Sequence, residues 1–222
     1  MTTPSTTTAG ERPARREHLP PMGRAWLLPL YDPFSRLVGA ERLHRRLLDQ
    51  AALRPGERVL EIGCGTGNLL LLAHGVAPGV VTTGLDPDAA ALARAARKAR
   101  RRGTDVRLDL GYADALPYPD ASVDVVLSSL MLHHLPEEVK VAALREARRV
   151  LRPGGRLHVL DVAGRSHGHG LAAHRGRRAA RRQGTPGVDT IPALVRAAGL
   201  DVGGVTPVQT RLGPFVLVAG SR

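Results

Sequence analysis

Residues 59–72 read VLEIGCGTGNLLLL, and this stretch decides how the rest of the chain is interpreted. Three glycines alternate with other residues between two apolar runs. Glycine has no Cβ, so it is favoured where a loop turns sharply or where a ligand approaches the backbone. The apolar runs predict a buried strand over residues 58–62 and a helix that begins at Asn68. The stretch therefore predicts a strand, a ligand-binding loop and a helix, in that order.

The residues around this loop narrow the ligand that it could bind. A Walker A loop needs Lys-Ser/Thr after its last glycine, and here Asn68 follows Gly67. Asn68 also stands where the third glycine of a dinucleotide fingerprint belongs. Asp86 ends the next apolar strand, about 20 residues after the loop, where a carboxylate that binds ribose hydroxyls is expected. The combination indicates a nucleoside-bearing ligand and makes no strong case for a pyrophosphate.

Short apolar strands alternate with helices along the rest of the chain. The predicted strands cover residues 58–62, 80–85, 106–110, 123–128 and 156–161, and two more end at Val218. The predicted helices begin at Asn68, follow the DPD sequence at 86–88 as far as residue 102, and cover 136–150 and 191–200. The RPGG sequence at 152–155 predicts a sharp stop after the third of these helices. This alternation predicts an α/β protein with a doubly wound, parallel sheet.

Composition sets limits on class and compartment. The 222 residues suit one domain with appendages, and 43% of them are apolar. The net charge of +12 rests almost wholly on arginine, which fits a GC-rich genome as well as an anionic partner. A single cysteine excludes an intramolecular disulfide, and the N-terminal stretch lacks the apolar segment of a signal peptide. We therefore expect a cytoplasmic protein.

The distribution of residue types predicts three regions. Residues 1–22 are rich in Thr, Pro and Arg and are predicted to be a disordered tail. Residues 23–53 carry apolar positions at helical spacing and are predicted to be a small N-terminal helical cap. Residues 54–222 would form the main domain, with a basic, lid-like insertion at 164–188. The insertion contains three histidines without a nearby cysteine or carboxylate, so we predict no metal site.

Four ordered motifs resemble the class I S-adenosylmethionine-dependent methyltransferases of the small-molecule type. They are LEIGCGTGN at 60–68, GLDPD at 84–88, GYADALPYPDASVDVVLSSLMLHHL at 111–135 and LRPGGRLHVLD at 151–161. The resemblance implies a Rossmann-like, seven-stranded sheet that is mostly parallel, with an antiparallel last strand. It also implies S-adenosyl-L-methionine as cofactor, S-adenosyl-L-homocysteine as product, and direct displacement of the methyl group onto a small-molecule acceptor.

The resemblance assigns roles to particular residues. Glu61 would accept from the cofactor's amino group, Asp86 from the ribose hydroxyls and Asp114 from the adenine amino group. Asp86 could instead cap the following helix, and Asp114 could be a turn carboxylate. Cys64 is predicted to pack in the loop rather than act as a nucleophile. The full predicted cofactor set is Glu61, Gly63, Cys64, Gly65, Gly67, Asn68, Asp86, Pro87, Asp114, Ala115 and Ser129.

The sequence says less about the residues that would contact the methyl acceptor. His133 and His134 follow the fourth strand, where either could act as a general base or merely shape the cavity. Tyr31, in the predicted cap, would reach the acceptor or pack in the cap. A base is needed only if the acceptor carries a proton that does not leave unaided. The sequence does not identify the acceptor, the atom methylated, the pathway or the oligomeric state.

Three other functions stay open at this point. A nucleic-acid methyltransferase would explain the charge, but the chain has Ser128-Ser129-Leu130-Met131 where an Asn/Asp-Pro-Pro-aromatic motif is usual, and no Pro-Cys nucleophile. The sequence therefore argues against nucleic acid as the acceptor. A lipid methyltransferase in peripheral contact with a membrane, and a cofactor-binding module without catalysis, remain as alternatives.

Overall fold

A computed structural model describes residues 40–163, 190–210 and 213–222. These residues form five α-helices and seven strands with a short 3-10 turn. The helices are α1 Ala40–Ala51, α2 Asn68–Val76, α3 Ala89–Arg101, α4 Glu137–Val150 and α5 Thr190–Ala197. The strands are β1 Arg58–Ile62, β2 Val81–Asp86, β3 Arg107–Leu110, β4 Val123–Ser129, β5 Leu151–Val162, β6 Asp201–Thr210 and β7 Gly213–Ser221, and the 3-10 turn is Leu132–His134.

The strands form one sheet in the order β3-β2-β1-β4-β5-β7-β6. The first five strands pair in parallel, and β7 pairs antiparallel to both β5 and β6. The order reverses between β1 and β4, so the loops that leave these two strands diverge. In open α/β sheets this reversal creates a crevice at the carboxyl ends of the strands. The predicted seven-stranded, doubly wound sheet with antiparallel pairing at its end is confirmed.

The strand β5 begins earlier than the sequence predicted. The helix α4 ends at Val150 as expected, but the RPGG sequence that follows belongs to β5. The pairing passes from Val123–Leu151 to Val125–Arg156, so the extra residues of β5 form an irregularity against β4. The predicted helix stop is therefore right, and the strand resumes after a bulge.

Apolar side chains cover both faces of the sheet. One buried cluster joins β4, β5 and β7 to α4 and α5, and the other joins β1, β4 and β7 to α1 and α2. The face of α1 that carries Leu43, Leu47, Leu48 and Ala51 is buried in the second cluster. The described part of the predicted cap thus packs directly against the sheet.

A partly buried ion pair between Arg156 and Glu57 holds the end of α1 against β5. The Arg156 guanidinium donates to both Glu57 carboxylate oxygens at 2.8 Å, and to the carbonyls of Ala51 and Ala52 at 2.9 and 3.1 Å. These contacts satisfy carbonyl groups that a helix end leaves unpaired. The Arg156 hydrogen bonds lower the pKa of Glu57 below its ordinary value. Arg156 on β5 therefore links the end of α1 to Glu57, the residue that precedes β1.

Within the described residues, no helix is long and apolar enough to cross a membrane. The predicted tail at 1–22, Tyr31, the first part of the cap and the insertion at 164–188 lie outside those residues. The three-region division and the cytoplasmic location stay predictions.

Candidate active site

A cavity of about 700 Å³ opens at the carboxyl edge of the sheet, around the crevice between β1 and β4. One end, which we call the glycine-loop end, includes Glu61, Gly63, Gly65 and Asp86 at the ends of β1 and β2. The other, the histidine end, includes His44, His133, Val162 and Phe215. Because β2 and β1 lie on one side of β4, and β5 and β7 on the other, the cavity spans the switch in strand order.

The three loop glycines have positive φ angles, but their surroundings differ. A Cβ on Gly63 would lie 2.3 Å from Met131 Cγ, and one on Gly67 would lie 3.0 Å from Ala95 Cβ. At Gly65, with φ of +50°, no described atom lies within 4 Å of the Cβ position. Gly63 and Gly67 thus permit close packing, whereas Gly65 leaves backbone open to the cavity.

Asp86 holds the glycine loop in place. Its carboxylate accepts from the Gly65 N–H at 2.7 Å and from the Asp88 N–H at 2.9 Å. The N-cap of α3 is Asp88, whose side chain accepts from the N–H groups of Ala90 and Ala91. The residue that caps α3 is therefore Asp88 and not Asp86, for which the sequence had left this role open. Asp86 also lines the cavity.

Three buried oxygens at this edge have no hydrogen-bond partner among the described residues, and two of them, Glu61 Oε2 and Ser129 Oγ, belong to residues that line the cavity; the third is Ser128 Oγ. Burial, and next the Asp86 carboxylate, raises the pKa of Glu61 well above its ordinary value. Buried polar atoms without partners are costly and rare in folded proteins. A ligand in the cavity would supply such partners.

Cys64 packs inward from the loop. Its side chain is buried with Leu70 and Leu92, and burial raises the pKa of its thiol well above the ordinary value. A thiol in this state is a poor nucleophile, because the thiolate is the reactive form. The same thiol lies where a Cβ on Gly84 would clash at 2.7 Å. The packing role predicted for Cys64 fits these contacts.

The side chain of His133 is paired with a buried carboxylate. Its Nδ1 lies 2.6 Å from Oδ1 of Asp161, and its backbone N–H donates to Oδ2 at 3.2 Å. Asp161, at the end of β5, is only 1% exposed and also accepts from the Val162 N–H at 2.7 Å. Where the Asp161 carboxylate is ionised it only accepts, so a neutral His133 ring would carry its proton on Nδ1 and present Nε2 as the acceptor. His134 is exposed and its ring lies 4.0 Å from that of His133.

The structure brings most of the predicted residues together and adds several that the sequence did not indicate. Of the predicted set, Glu61, Gly63, Cys64, Gly65, Asn68, Asp86, Pro87, Asp114, Ser129, His133 and His134 line the cavity. Gly67 and Ala115 do not: Gly67 packs on α3, and the Ala115 N–H donates to the Tyr112 carbonyl. Tyr31 lies outside the described residues. The added lining residues include His44, Tyr112, Met131, Val139, Val162 and Phe215.

His44 is the clearest addition on the α1 side. It follows the buried Leu43, and burial lowers its pKa to about 4, so its imidazole is neutral near pH 7. The helical spacing around it is equally typical of simple core packing. No group of three or more His, Cys, Asp or Glu side chains within the described ranges could hold a metal ion. The insertion histidines lie outside those ranges.

Fold and cavity together define a Rossmann-like α/β protein with a cavity at its topological switch point. Comparison with known proteins agrees. A family model described as a methyltransferase domain matches residues 59–155. The chain is 34% identical over 197 residues to methyltransferase GfsG of Streptomyces halstedii, covering 85% of this chain and 69% of that protein.

Two further relatives match over shorter spans. The 27-O-demethylrifamycin SV methyltransferase of Amycolatopsis mediterranei is 44% identical over 122 residues, and the demethylmenaquinone methyltransferase of Thermus thermophilus is 41% identical over 138. These alignments cover 54% and 61% of this chain, but only 44% and 62% of the respective relatives.

Among solved structures, a SAM-dependent methyltransferase from Aquifex aeolicus shares the fold with a TM-score of 0.64 at 21% identity, covering 85% of this chain and 96% of that one. The [4+2]-cyclase SpnF shares it with a TM-score of 0.67 at 24% identity, covering 82% and 81%. The chain belongs to the class I S-adenosylmethionine-dependent methyltransferase family, as its motifs indicated. The neighbour named a cyclase illustrates that this fold alone does not assign an activity.

Proposed function

We propose that this protein transfers a methyl group from S-adenosyl-L-methionine to a hydroxyl of a small, mostly apolar acceptor, with His133 as the general base. The observation that carries this proposal is the 2.6 Å contact between His133 Nδ1 and the buried Asp161, in a histidine that lines the cavity and whose Nε2 the contact does not use. A histidine with its other nitrogen held by a carboxylate is a recurrent arrangement for accepting protons.

The glycine-loop end would hold the cofactor. Gly65 leaves room for the methionine portion, Asp86 would accept from the ribose hydroxyls, and Glu61 Oε2 would accept from the amino group. Asp114 would remain the partner of the adenine amino group, since it lines the same cavity. When bound, the cofactor supplies a methyl group already activated on a sulfonium.

The lysine on α3 supports this end from outside the cavity. Lys98 Nζ donates to Thr66 Oγ1 at 3.1 Å and to Asn68 Oδ1 at 2.5 Å, which ties both residues of the loop to α3. Loop geometry is thus preset before a ligand arrives, and preset geometry lowers the entropic cost of binding. Asn68, predicted as a cofactor residue, acts through this tie as well as by lining the cavity.

At the histidine end, His133 would remove the acceptor's proton as its oxygen forms the new bond to carbon. The hydroxyl oxygen supplies the electron pair for the new bond, the proton passes to Nε2, and the bond between carbon and sulfur breaks with its electrons left on sulfur. Asp161 then faces a cationic imidazolium, which a buried carboxylate stabilises. Asp161 is a positioning residue because it acts through His133.

The walls of the histidine end support an apolar acceptor. Leu130, Met131, Val139, Val162 and Phe215 line the cavity there, together with the neutral imidazole of His44. Apolar walls with few convergent polar groups suit a flat or aliphatic organic molecule. We propose that His44 binds a second polar group of the acceptor. The names of the rifamycin and menaquinone relatives, which refer to small organic molecules, support this substrate class.

A labelling experiment tests the proposal across several classes of acceptor at once. The protein is incubated with methyl-labelled cofactor and a panel of phenols, hydroquinones and hydroxylated macrolides, and the products are separated by mass. Transfer of label to oxygen of one class supports the proposal. Label on RNA, DNA or phospholipid instead, or no label on any class despite cofactor binding, would overturn it. The Asp86→Ala variant serves as a control for loss of the cofactor.

A further inference from the structure

The Glu61 carboxyl group is almost fully buried and makes few contacts that favour its charged form. It is 3% exposed, one of its oxygens has no hydrogen-bond partner among the described residues, and the Leu70 backbone N–H is the hydrogen bond that favours its charged form. Removing a carboxylate from water without a counterion is costly, and such groups respond by keeping their proton.

The charged and titratable groups that face Glu61 from neighbouring elements do not supply that counterion. Asp86, at the end of β2, adds a like charge, and the Cys64 thiol from the loop is held neutral by burial. Lys98 on α3 lowers the pKa of Glu61, but this is the smallest influence, and its Nζ is engaged by Thr66 and Asn68. On the β4 side stands the Ser129 hydroxyl, itself unpartnered among the described atoms.

We propose that Glu61 is a proton-releasing counterion: it holds a proton in the empty protein and gives it to solvent when the ammonium group of the cofactor's amino acid end enters the cavity. The inference rests on the proposed function, because it assumes that this cofactor binds at the glycine-loop end. The exchange is balanced, since the ammonium keeps its protons, Glu61 becomes a carboxylate, and one proton passes to the buffer.

This arrangement makes the amino acid end a determinant of ligand choice. A bound ammonium group favours the ionised form of Glu61. The ion pair therefore forms only with ligands that carry an ammonium group. A ligand with the same adenosine and thioether but no amino acid, such as 5′-methylthioadenosine, would leave Glu61 protonated. Its binding would release no proton from this residue.

Titration calorimetry with S-adenosyl-L-homocysteine measures the proton directly. At about pH 6.5 the ligand's α-amino group stays protonated, since such groups have pKa values of about 7.7–8.0. Binding is measured in phosphate, MES and imidazole, whose ionisation enthalpies differ, and the slope of observed enthalpy against ionisation enthalpy counts the protons released. We expect a release of protons with this ligand that 5′-methylthioadenosine does not cause, and an affinity that rises with pH within the titration window.

The Glu61→Gln variant is the matched control, because it keeps the shape of the side chain without its charge. We expect the variant to lose the buffer dependence, and any residual slope in it reports other groups facing the cavity, such as His133 and His134. Asp86→Asn removes the like charge and should move the pH window of proton release downwards. Should Glu61→Gln fail to fold, the comparison of the two ligands in the unaltered protein still decides the matter.

The outcomes separate this inference from the proposed function. Binding of S-adenosyl-L-homocysteine with no buffer dependence, or with the same dependence as 5′-methylthioadenosine or as Glu61→Gln, would overturn the proton-release proposal and leave the methyltransferase proposal standing. Absence of any binding by S-adenosyl-L-homocysteine and S-adenosyl-L-methionine would overturn both.

Discussion

The two ends of the cavity are built in different ways. The glycine-loop end comes from one continuous stretch, β1 to α2, plus the end of the next strand, β2. The histidine end joins His44 from α1, His133 after β4, Asp161 and Val162 from β5, and Phe215 from β7. The glycine-loop end is a local unit whose backbone groups are held in place by nearby residues. The histidine end exists only once the whole sheet has formed.

This difference separates the two tasks of the site. The local unit carries features that suit a ligand with a fixed shape, namely an open Gly65, a Glu61 oxygen without a partner among the described residues, and the Asp86 carboxylate. The assembled end combines apolar walls with the His133–Asp161 pair. We therefore expect substitutions at the two ends to affect different measurements, cofactor affinity at one and turnover or acceptor affinity at the other.

Among substitutions that leave His133 in place, the largest effect is expected at the histidine end from Asp161→Asn. An amide in this position can hold the wrong tautomer of His133, so turnover should fall about 100-fold or more, the usual contribution of a general base. Cofactor affinity from calorimetry should stay within about twofold of the unaltered protein. Equal losses of turnover and cofactor affinity would show that the two ends are not separable.

The next effect is expected at the glycine-loop end from Asp86→Ala. Loss of the carboxylate removes the acceptor for the Gly65 N–H and the proposed ribose contact, so cofactor binding should weaken by about 1.5–3 kcal/mol. Asp88→Ala is the control two residues away. It removes the α3 cap and should cost about 1 kcal/mol of folding stability, with a smaller change in cofactor affinity. Similar affinity losses in both variants would reduce Asp86 to a structural residue.

Stability of α1, which carries His44, is probed by Glu57→Gln. The change breaks a charge-assisted pair with Arg156 and should lower the free energy of unfolding by about 1.5–3 kcal/mol. Glu41→Gln, in an exposed pair with Arg45 on the same helix, should cost less than about 1 kcal/mol. Thermal melts followed by circular dichroism measure both, and equal effects would contradict the anchoring role of Arg156.

The effect of Glu57→Gln on the free energy of unfolding should depend on pH in a defined direction. The pKa of Glu57 is lowered in the folded protein from an ordinary value of 4.5, so its contribution is present above that value. The stability gap between the unaltered protein and Glu57→Gln should be constant near neutral pH. It should shrink as the pH falls through the lower, folded-state pKa. A gap that grows in acid would contradict the ion pair.

The smallest effect is expected from His44→Phe. If the imidazole donates one hydrogen bond to the acceptor, the KM for the acceptor identified by labelling should rise about 3- to 10-fold, with cofactor affinity unchanged. His44→Gln keeps a polar side chain and should recover part of the loss. A KM that is the same in all three proteins would assign His44 to packing alone.

Most residues that the sequence suggested for the glycine-loop end line the cavity, because that end is local. Glycines, a strand and the Asp86 position lie within one unit of the chain, so spacing alone brings them together. Asp161 and His44 could not be found in this way. Asp161 ends one of the four motifs, but only the pairing of β4 with β5 brings its carboxylate to His133. His44 shares the helical spacing of core residues, which does not distinguish a cavity wall from a packed interior.

The bounds of the strands were also only partly predictable from the sequence. The stop of α4 at Val150 followed from RPGG, whereas the continuation of β5 through that sequence depends on its irregular pairing with β4. The antiparallel β7 was expected from the family resemblance and not from periodicity, because alternation of apolar residues carries no strand direction. Local chemistry was therefore predictable, and contacts set by strand order were not.

The most direct test of the central claim is single-turnover transfer of labelled methyl from saturating S-adenosyl-L-methionine to the identified acceptor, compared between the unaltered protein and His133→Asn. We predict that both proteins bind the cofactor with the same affinity and that the variant transfers the label more slowly by about 100-fold or more. Transfer by His133→Asn at the rate of the unaltered protein would contradict the account, because the histidine end would then supply no base.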